Sequence, residues 1–284
     1  MKGYKGFEPG LICRGKQYAE NTVFEEEEAE ICSCGMHFCE NPFDVLDYYG
    51  FTNDNGDFNE FAEVEALDEV KTDNNRKFCT KKLKIGAKLS ISKFINACVD
   101  FAIEKTSTCI ADNKISSGDS AQIGSSGNFA QIGSSGNFAQ IGSSGNFAQI
   151  GSSGNSAKIG SSGNSAKIGS SGNFAQIGSS GNSAKIGSSG NSAQIGSSGD
   201  FAQIGSSGDS AQIGSSGKDC VICCAGHNSA VKAKKGSWIT LAEWEYSKEK
   251  ERYIPKCVKT EFVDGERIKE DTLYKLIDGE FVEV

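Results

Sequence analysis

Both histidines of the chain sit among cysteines. Cys32, Cys34, His37 and Cys39 fall within eight residues, and Cys220, Cys223, Cys224 and His227 form a second group. Thiolate and imidazole are ligands that zinc favours, often as three Cys and one His. The spacings C-x-C-x2-H-x-C and C-x2-C-C-x2-H lack the paired knuckles of structural zinc sites, and free cysteine is a common core residue. We therefore expect buried thiols and no metal, with Cys32, Cys34, His37 and Cys39 the set that would hold one. The same segment offers nucleophilic chemistry, because Cys39 and His37 share a face if their segment is a strand. No third group is evident to orient the pair, so no catalytic residue is expected there.

The elements that would position these groups are marked by composition. Residues 1–114 carry 14 Lys/Arg against 21 Asp/Glu; residues 115–217 carry three of each; residues 218–284 carry 12 against 13. An acidic head, a neutral middle and a balanced tail lack the basic footprint of a nucleic-acid binder. The start, MKGYKGFEPG, is polar and unlike a secretory signal, and no stretch is long and apolar enough to span a membrane. With eleven cysteines and no signal, the expectation is a cytoplasmic protein with reduced thiols.

The middle is one phrase, AQIGSSGNF, said with small variations. Isoleucine recurs every nine residues from Ile123 to Ile213, with alanine two positions before each. Between them stands Gln or Lys (Lys158, Lys167, Lys185), and before the alanine stands Ser or Phe. Strand alternation puts Ala and Ile on one side and Ser/Phe and Gln/Lys on the other. Lysine cannot be buried unpaired in a narrow core, so the Ala/Ile side is inside. The remainder, G-S-S-G-N, is turn chemistry. Flexible Gly/Ser linkers do not hold an apolar residue at fixed spacing, so we read a β-solenoid with two phrases, 18 residues, per coil. Three phrases would give a 27-residue triangular coil stacking Phe147, Phe174 and Phe201, a column that Phe129 and Phe138 break.

A solenoid needs covered ends. Residues 90–105 read as a helix with Ser90 or Ser92 as N-cap. Its stripe of Phe94, Ile95, Cys98, Phe101 and Ala102 would cover the first rung. Downstream the repeat decays: Cys220 takes the Ala place and Ile222 the Ile place. The expected organisation is an α+β domain over 1–104, a solenoid over 105–233 and an antiparallel β-meander over 234–284. In the first, Asn41-Pro42 would start a helix; in the last, Asp264-Gly265 and Asp278-Gly279 are hairpin signals. The fold class is thus mainly β.

Several resemblances bear on function. The nonapeptide period is similar to the calcium roll of RTX proteins, G-G-x-G-x-D-x-U-x, but the Asp that would hold calcium falls on Phe or Ser here. No cofactor is expected. The S-A-x-I-G run resembles the head repeats of trimeric bacterial adhesins, which implies a stacked two-layer roll and no more. K-G-Y-K-G-F, C-R-G-K-Q-Y, G-M-H-F-C-E-N-P and F-A-E-V-E-A-L together resemble an uncharacterised domain of bacterial and phage proteins. G-S-W-I-T-L-A-E-W with C-V-K-T-E-F-V-D-G-E-R-I-K looks like the C-terminus of those same proteins; no activity is implied. Arg14-Gly15, then G-M-H-F-C, a tyrosine one helix later, and Glu63-x-Glu65 resemble a shrunken ADP-ribosyltransferase. That resemblance implies Arg14 or His37 on a nicotinamide dinucleotide, Tyr49 (or Tyr48) stacked on the nicotinamide, and Glu65 polarising the ribose hydroxyl, with Glu63 beside it. The domain is short for that fold and has no serine-threonine strand motif.

The reading adopted is a non-enzymatic scaffold or binding protein, of which a phage- or mobile-element protein occupying a host protein is a specific version. A small ADP-ribosyltransferase-like enzyme and a structural assembly protein are the alternatives. Five outward phenylalanines, Phe129, Phe138, Phe147, Phe174 and Phe201, are a candidate contact surface on a Ser/Gln background. They point to a homo-oligomer, with a dimer favoured because twofold closure is the commonest outcome. A protein partner is expected, but its identity is not legible.

Overall fold

A chain that puts small apolar residues on one side of each short strand can bury them only by closing on itself. The structure, a computed structural model, describes residues 1–53, 57–73, 75–106 and 113–284. Strands begin every nine residues from Gln122 to Gln212, each spelled Gln/Lys-Ile-Gly-Ser. Alternate strands pair in parallel: Gln122–Ser125 with Gln140–Ser143, and Gln131–Ser134 with Gln149–Ser152, each residue opposite its equivalent 18 positions on. The result is a mainly β solenoid of about seven turns with two facing sheets. Every alanine of the column from Ala130 to Ala211 is 0% exposed, and the isoleucines at most 5%. The Ala/Ile core is the one the alternation implied.

The strand itself sits two residues later than expected. The Ser/Phe position lies at the corner in left-handed backbone, with φ 57° at Phe147 and 56° at Ser165. Each corner is held by a ladder from coil to coil. Asn146 Oδ1 accepts from the Asn164 N–H at 2.9 Å, and the Phe147 N–H donates to Asn164 O at 2.9 Å. These bonds offset the strain of φ > 0 in a non-glycine residue. The serine after Ile-Gly, assigned to the turn, instead points inward as a third buried column from Ser125 to Ser215. The five phenylalanines therefore project from the corners and not from the sheet faces.

The N-terminal part is built on a four-stranded antiparallel sheet, in the order Lys2–Phe7, Glu60–Ala66, Lys82–Leu89 and Val23–Glu25. A three-stranded sheet joins Met36–Phe38, Phe78–Thr80 and Val70–Thr72. Helix α1 (Pro42–Val45) is a single turn, and Asn41 Oδ1 accepts from the Phe43 N–H at 3.0 Å as its cap. Helix α2 (Ile91–Thr106) begins at Ser90, whose Oγ accepts from the Lys93 N–H at 3.3 Å.

α2 does not cap the first rung. It lies across the outer surface of the sheet that begins at Gln122–Ser125, here the covered sheet. The outward column there is glycine, which leaves a groove. A Cβ on Gly124 would stand 2.5 Å from Ala102 O, and one on Gly142 2.8 Å from Ala102 Cβ. Ile95 and Phe51 lie over Gly178, and Phe58 over Gly214. Laying the stripe of Phe94, Ile95, Cys98, Val99 and Ala102 along several rungs removes more apolar area from water than one terminal rung could. Phe101 falls off this stripe and stays half-buried beneath Lys105. The outward Gln/Lys column is also engaged. Gln140 Nε2 donates to Asp44, Lys158 Nζ to Asp47 at 2.6 Å and Phe43 O at 3.0 Å, Gln176 Nε2 to Leu46 O, and the Thr52 hydroxyl to Gln212 Oε1.

The C-terminal strands do not form one meander; they extend the two solenoid sheets separately. Trp238–Ser247 and Arg252–Phe262 continue the sheet opposite α2, and Leu273–Ile277 with Glu280–Glu283 continue the covered sheet. Asp278-Gly279, with φ 50° and 74°, makes the expected tight hairpin. Asp264-Gly265 does not join paired strands. There the Asp264 carboxylate accepts from the N–H groups of Glu266, Arg267 and Ile268. Among the described residues no helix is long and apolar enough to cross a membrane.

Candidate functional site

One hollow of about 370 Å3 in the N-terminal part gathers several of the sequence candidates. Its rim is the hairpin Ile12–Cys13 and Lys16–Gln17, closed by Arg14 (φ 51°) and Gly15 (φ 74°). Two positive φ values are what a two-residue turn with the strands' own twist demands, and they set Arg14 at the tip. His37 comes from the strand Met36–Phe38, and Tyr48 and Tyr49 follow α1. Tyr49 packs closely on Gly6, where a Cβ would stand 2.6 Å from Tyr49 Cβ. The Tyr49 hydroxyl donates to Cys13 Sγ at 3.2 Å, and Lys5 Nζ donates to the same sulfur at 3.3 Å.

Burial, with Lys5, Lys77 and Arg14 nearby, holds the His37 pKa below the usual imidazole value. Its Nε2 accepts from the Cys32 N–H at 3.2 Å, so the ring orders the loop. Cys39 is buried, its thiol pushed up to about 12 by desolvation, which does not suit a nucleophile. Cys32 is exposed and accepts from Lys77 Nζ at 3.0 Å.

Among the described residues, no three His, Cys, Asp or Glu side chains cluster as a metal set, in either cysteine group. Cys220 and Cys224 are buried in the solenoid, Cys223 is exposed, and His227 packs on Tyr253 at 4.2 Å. We expect chelator to leave the far-UV circular dichroism unchanged; loss of the β signal on adding EDTA would overturn this.

Arg14, His37 and Tyr49 line the hollow, whereas Glu63 and Glu65 do not. Both stand on Glu60–Ala66, opposite Tyr4 and Lys2, and Glu63 is exposed. The carboxylate in the hollow is Glu26, bonded to Lys16 at 2.6 Å. The arrangement implied by the ADP-ribosyltransferase resemblance is therefore not brought together. Sequence reasoning missed Lys5, Cys13 and Lys77. For Lys5 a signal existed, since in KGYKGF it shares strand parity with Phe7.

A second surface is the open sheet, which starts at Asn113–Ser116. Its outward column of Gln131, Gln149, Lys167, Lys185 and Gln203 is exposed, and none of these side chains makes a hydrogen bond among the described residues. A Cβ at Gly151, Gly169, Gly187 or Gly205 would meet nothing within 4 Å. The trough, about 1140 Å3, ends at the exposed Val221; on the next strand, opposite Val221, stands the exposed Trp238, against Phe262 at 5.2 Å.

Residues 1–97 match the family model described as a domain of unknown function (DUF7666). No curated protein and no solved structure matches the chain. The hollow thus lies inside the DUF7666 match, and the open sheet lies outside it.

Proposed function

We propose that this chain is a non-enzymatic scaffold: its solenoid carries the DUF7666 domain on one sheet and offers the other to a protein partner. The observation behind this is the contrast between two sheets of nearly the same sequence. One glycine groove is filled by α2, Phe51 and Phe58, with Lys158 bonded to Asp47. The other is bare, with Lys167 and Lys185 side by side in register and Trp238 at its end. Like charges in register repel, so an acidic partner is favoured, one that lays a small or apolar stripe on the glycines. An exposed Trp beside a flat trough is the kind of anchor that dominates interfaces. The resemblance of both ends to bacterial and phage proteins supports the version in which the partner belongs to a host. Capture from native-host extract by the full chain should be lost with Lys167→Glu/Lys185→Glu, while the variant keeps its melting temperature. Capture unaffected by the double change counts against the open sheet.

Self-association is a second reading, favoured by Phe129 and Phe147, which stack at 5.1 Å while more than half of Phe129 stays exposed. Light scattering at micromolar concentration should then show a dimer that Phe129→Ser/Phe147→Ser/Phe201→Ser dissociates. A monomeric wild type ends that reading.

A further inference from the structure

Lys5 is a buried cation. It is 5% exposed, with its ammonium 5.5 Å from the ring centres of both Phe7 and Tyr18. It donates to His37 O at 2.9 Å and to Cys13 Sγ at 3.3 Å, which uses two of its three donors. Among the described residues no carboxylate forms an ion pair with it. An ammonium taken out of water without a partner is strongly disfavoured, and burial holds the Lys5 pKa below its usual value. Arg14, at the tip of its turn, also forms no ion pair among the described residues, and Lys77 stands at the rim 4.9 Å from the Tyr48 ring centre. Among the described residues the hollow sets one carboxylate against Lys5 and Arg14, Glu26, already held by Lys16. This local excess is the reverse of the acidic balance of residues 1–114.

The volume of the hollow lies in the range of small-ligand sites, and its walls carry Tyr18, Tyr48 and Tyr49. Aromatic walls favour a planar group by offset or edge packing, and desolvated cations favour an anion through charge-assisted hydrogen bonds. We propose that the hollow binds a small organic anion bearing a planar ring, its carboxylate or phosphate serving as counter-ion to Lys5 and Arg14 and its ring lying against the tyrosines. The site is independent of the open sheet of the solenoid.

Calorimetric titration of the full-length protein tests this with three probes: benzoate, phenyl phosphate and the neutral benzyl alcohol. The expected result is saturable one-to-one binding of at least one anion and none of the alcohol; which anion binds tells carboxylate from phosphate. Arg14→Gln should weaken binding about tenfold, and Lys5→Met should weaken it further. Where Lys5→Met fails to fold, Arg14→Gln carries the test, because Arg14 is exposed on a turn. Absence of saturable binding by both anions at millimolar concentration overturns the proposal. So does anion affinity unchanged in Arg14→Gln, or benzyl alcohol binding as well as the anions.

Discussion

Gly172→Ala is expected to cost the solenoid about 3 kcal/mol, whereas Gly169→Ala, three residues earlier, leaves stability unchanged or raises it by up to about 1 kcal/mol. Both glycines belong to the same phrase, and propensity alone treats them alike. Their surroundings differ. A Cβ on Gly172 would stand 2.0 Å from Gly154 O and 2.5 Å from its carbonyl carbon. That obstacle is backbone and cannot swing away like a side chain. Nor is Gly154 free to retreat, because it is itself stacked as closely on Gly136, where an added Cβ would stand 1.9 Å from Gly136 O. The whole column is stacked at the closest approach two backbones allow, so a shift at one rung is passed to the next. Gly169 faces the bare trough, and alanine there reduces the freedom of the unfolded chain without meeting an atom. Thermal melts of the two variants, followed by far-UV circular dichroism, decide the matter. Equal losses at both positions would mean that the inside, corner and outside assignment of the phrase is wrong.

The residues that defeated the sequence reading show where its information ends. Ala and Ile at fixed spacing, with Lys between them, settle which side is inside. They do not say where the strand stops. Glycine and serine are turn formers, which would place Gly160 and Ser161 in the turn, yet stacking carries them as strand. Context overrides propensity in sheets more readily than in helices. The α2 stripe announces that the helix covers something, but not whether it covers a rung end or a glycine groove. Asp264-Gly265 and Asp278-Gly279 are the same dipeptide with two outcomes, because only the second joins strands that pair. In the hollow, Arg14, His37 and Tyr49 are legible as residue types suited to chemistry. Lys5 shares strand parity with Phe7, but that this face is the buried one depends on pairing with Glu60–Ala66, more than fifty residues away.

Asp47→Ala is expected to destabilise the chain by about 2–3 kcal/mol, and Lys158→Met by less than about 1 kcal/mol, although the two changes break the same ion pair. Lys158 is only 3% exposed beneath the N-terminal part. Without Asp47 its ammonium keeps one acceptor among the described residues, Phe43 O at 3.0 Å, and its charge is left buried. Removing the lysine leaves no comparable orphan. Asp47 is about one-third exposed and retains Arg76 at 2.7 Å, while the methionine fills the space between the covered sheet and α1. The double change Asp47→Ala/Lys158→Met should therefore recover most of the loss caused by Asp47→Ala. This asymmetry distinguishes a desolvated charge from a surface pair, for which both single changes would be nearly silent. Lys167→Met supplies that reference on the open sheet, where the same residue in the same phrase is exposed and should change stability by less than about 0.5 kcal/mol. Hydrogen exchange adds a local readout: amides of α1 and α2 should exchange faster in Asp47→Ala, while those of the open sheet do not. If the two single changes cost the same, Lys158 does not carry a buried charge. The covered sheet would then be held by its apolar groove alone.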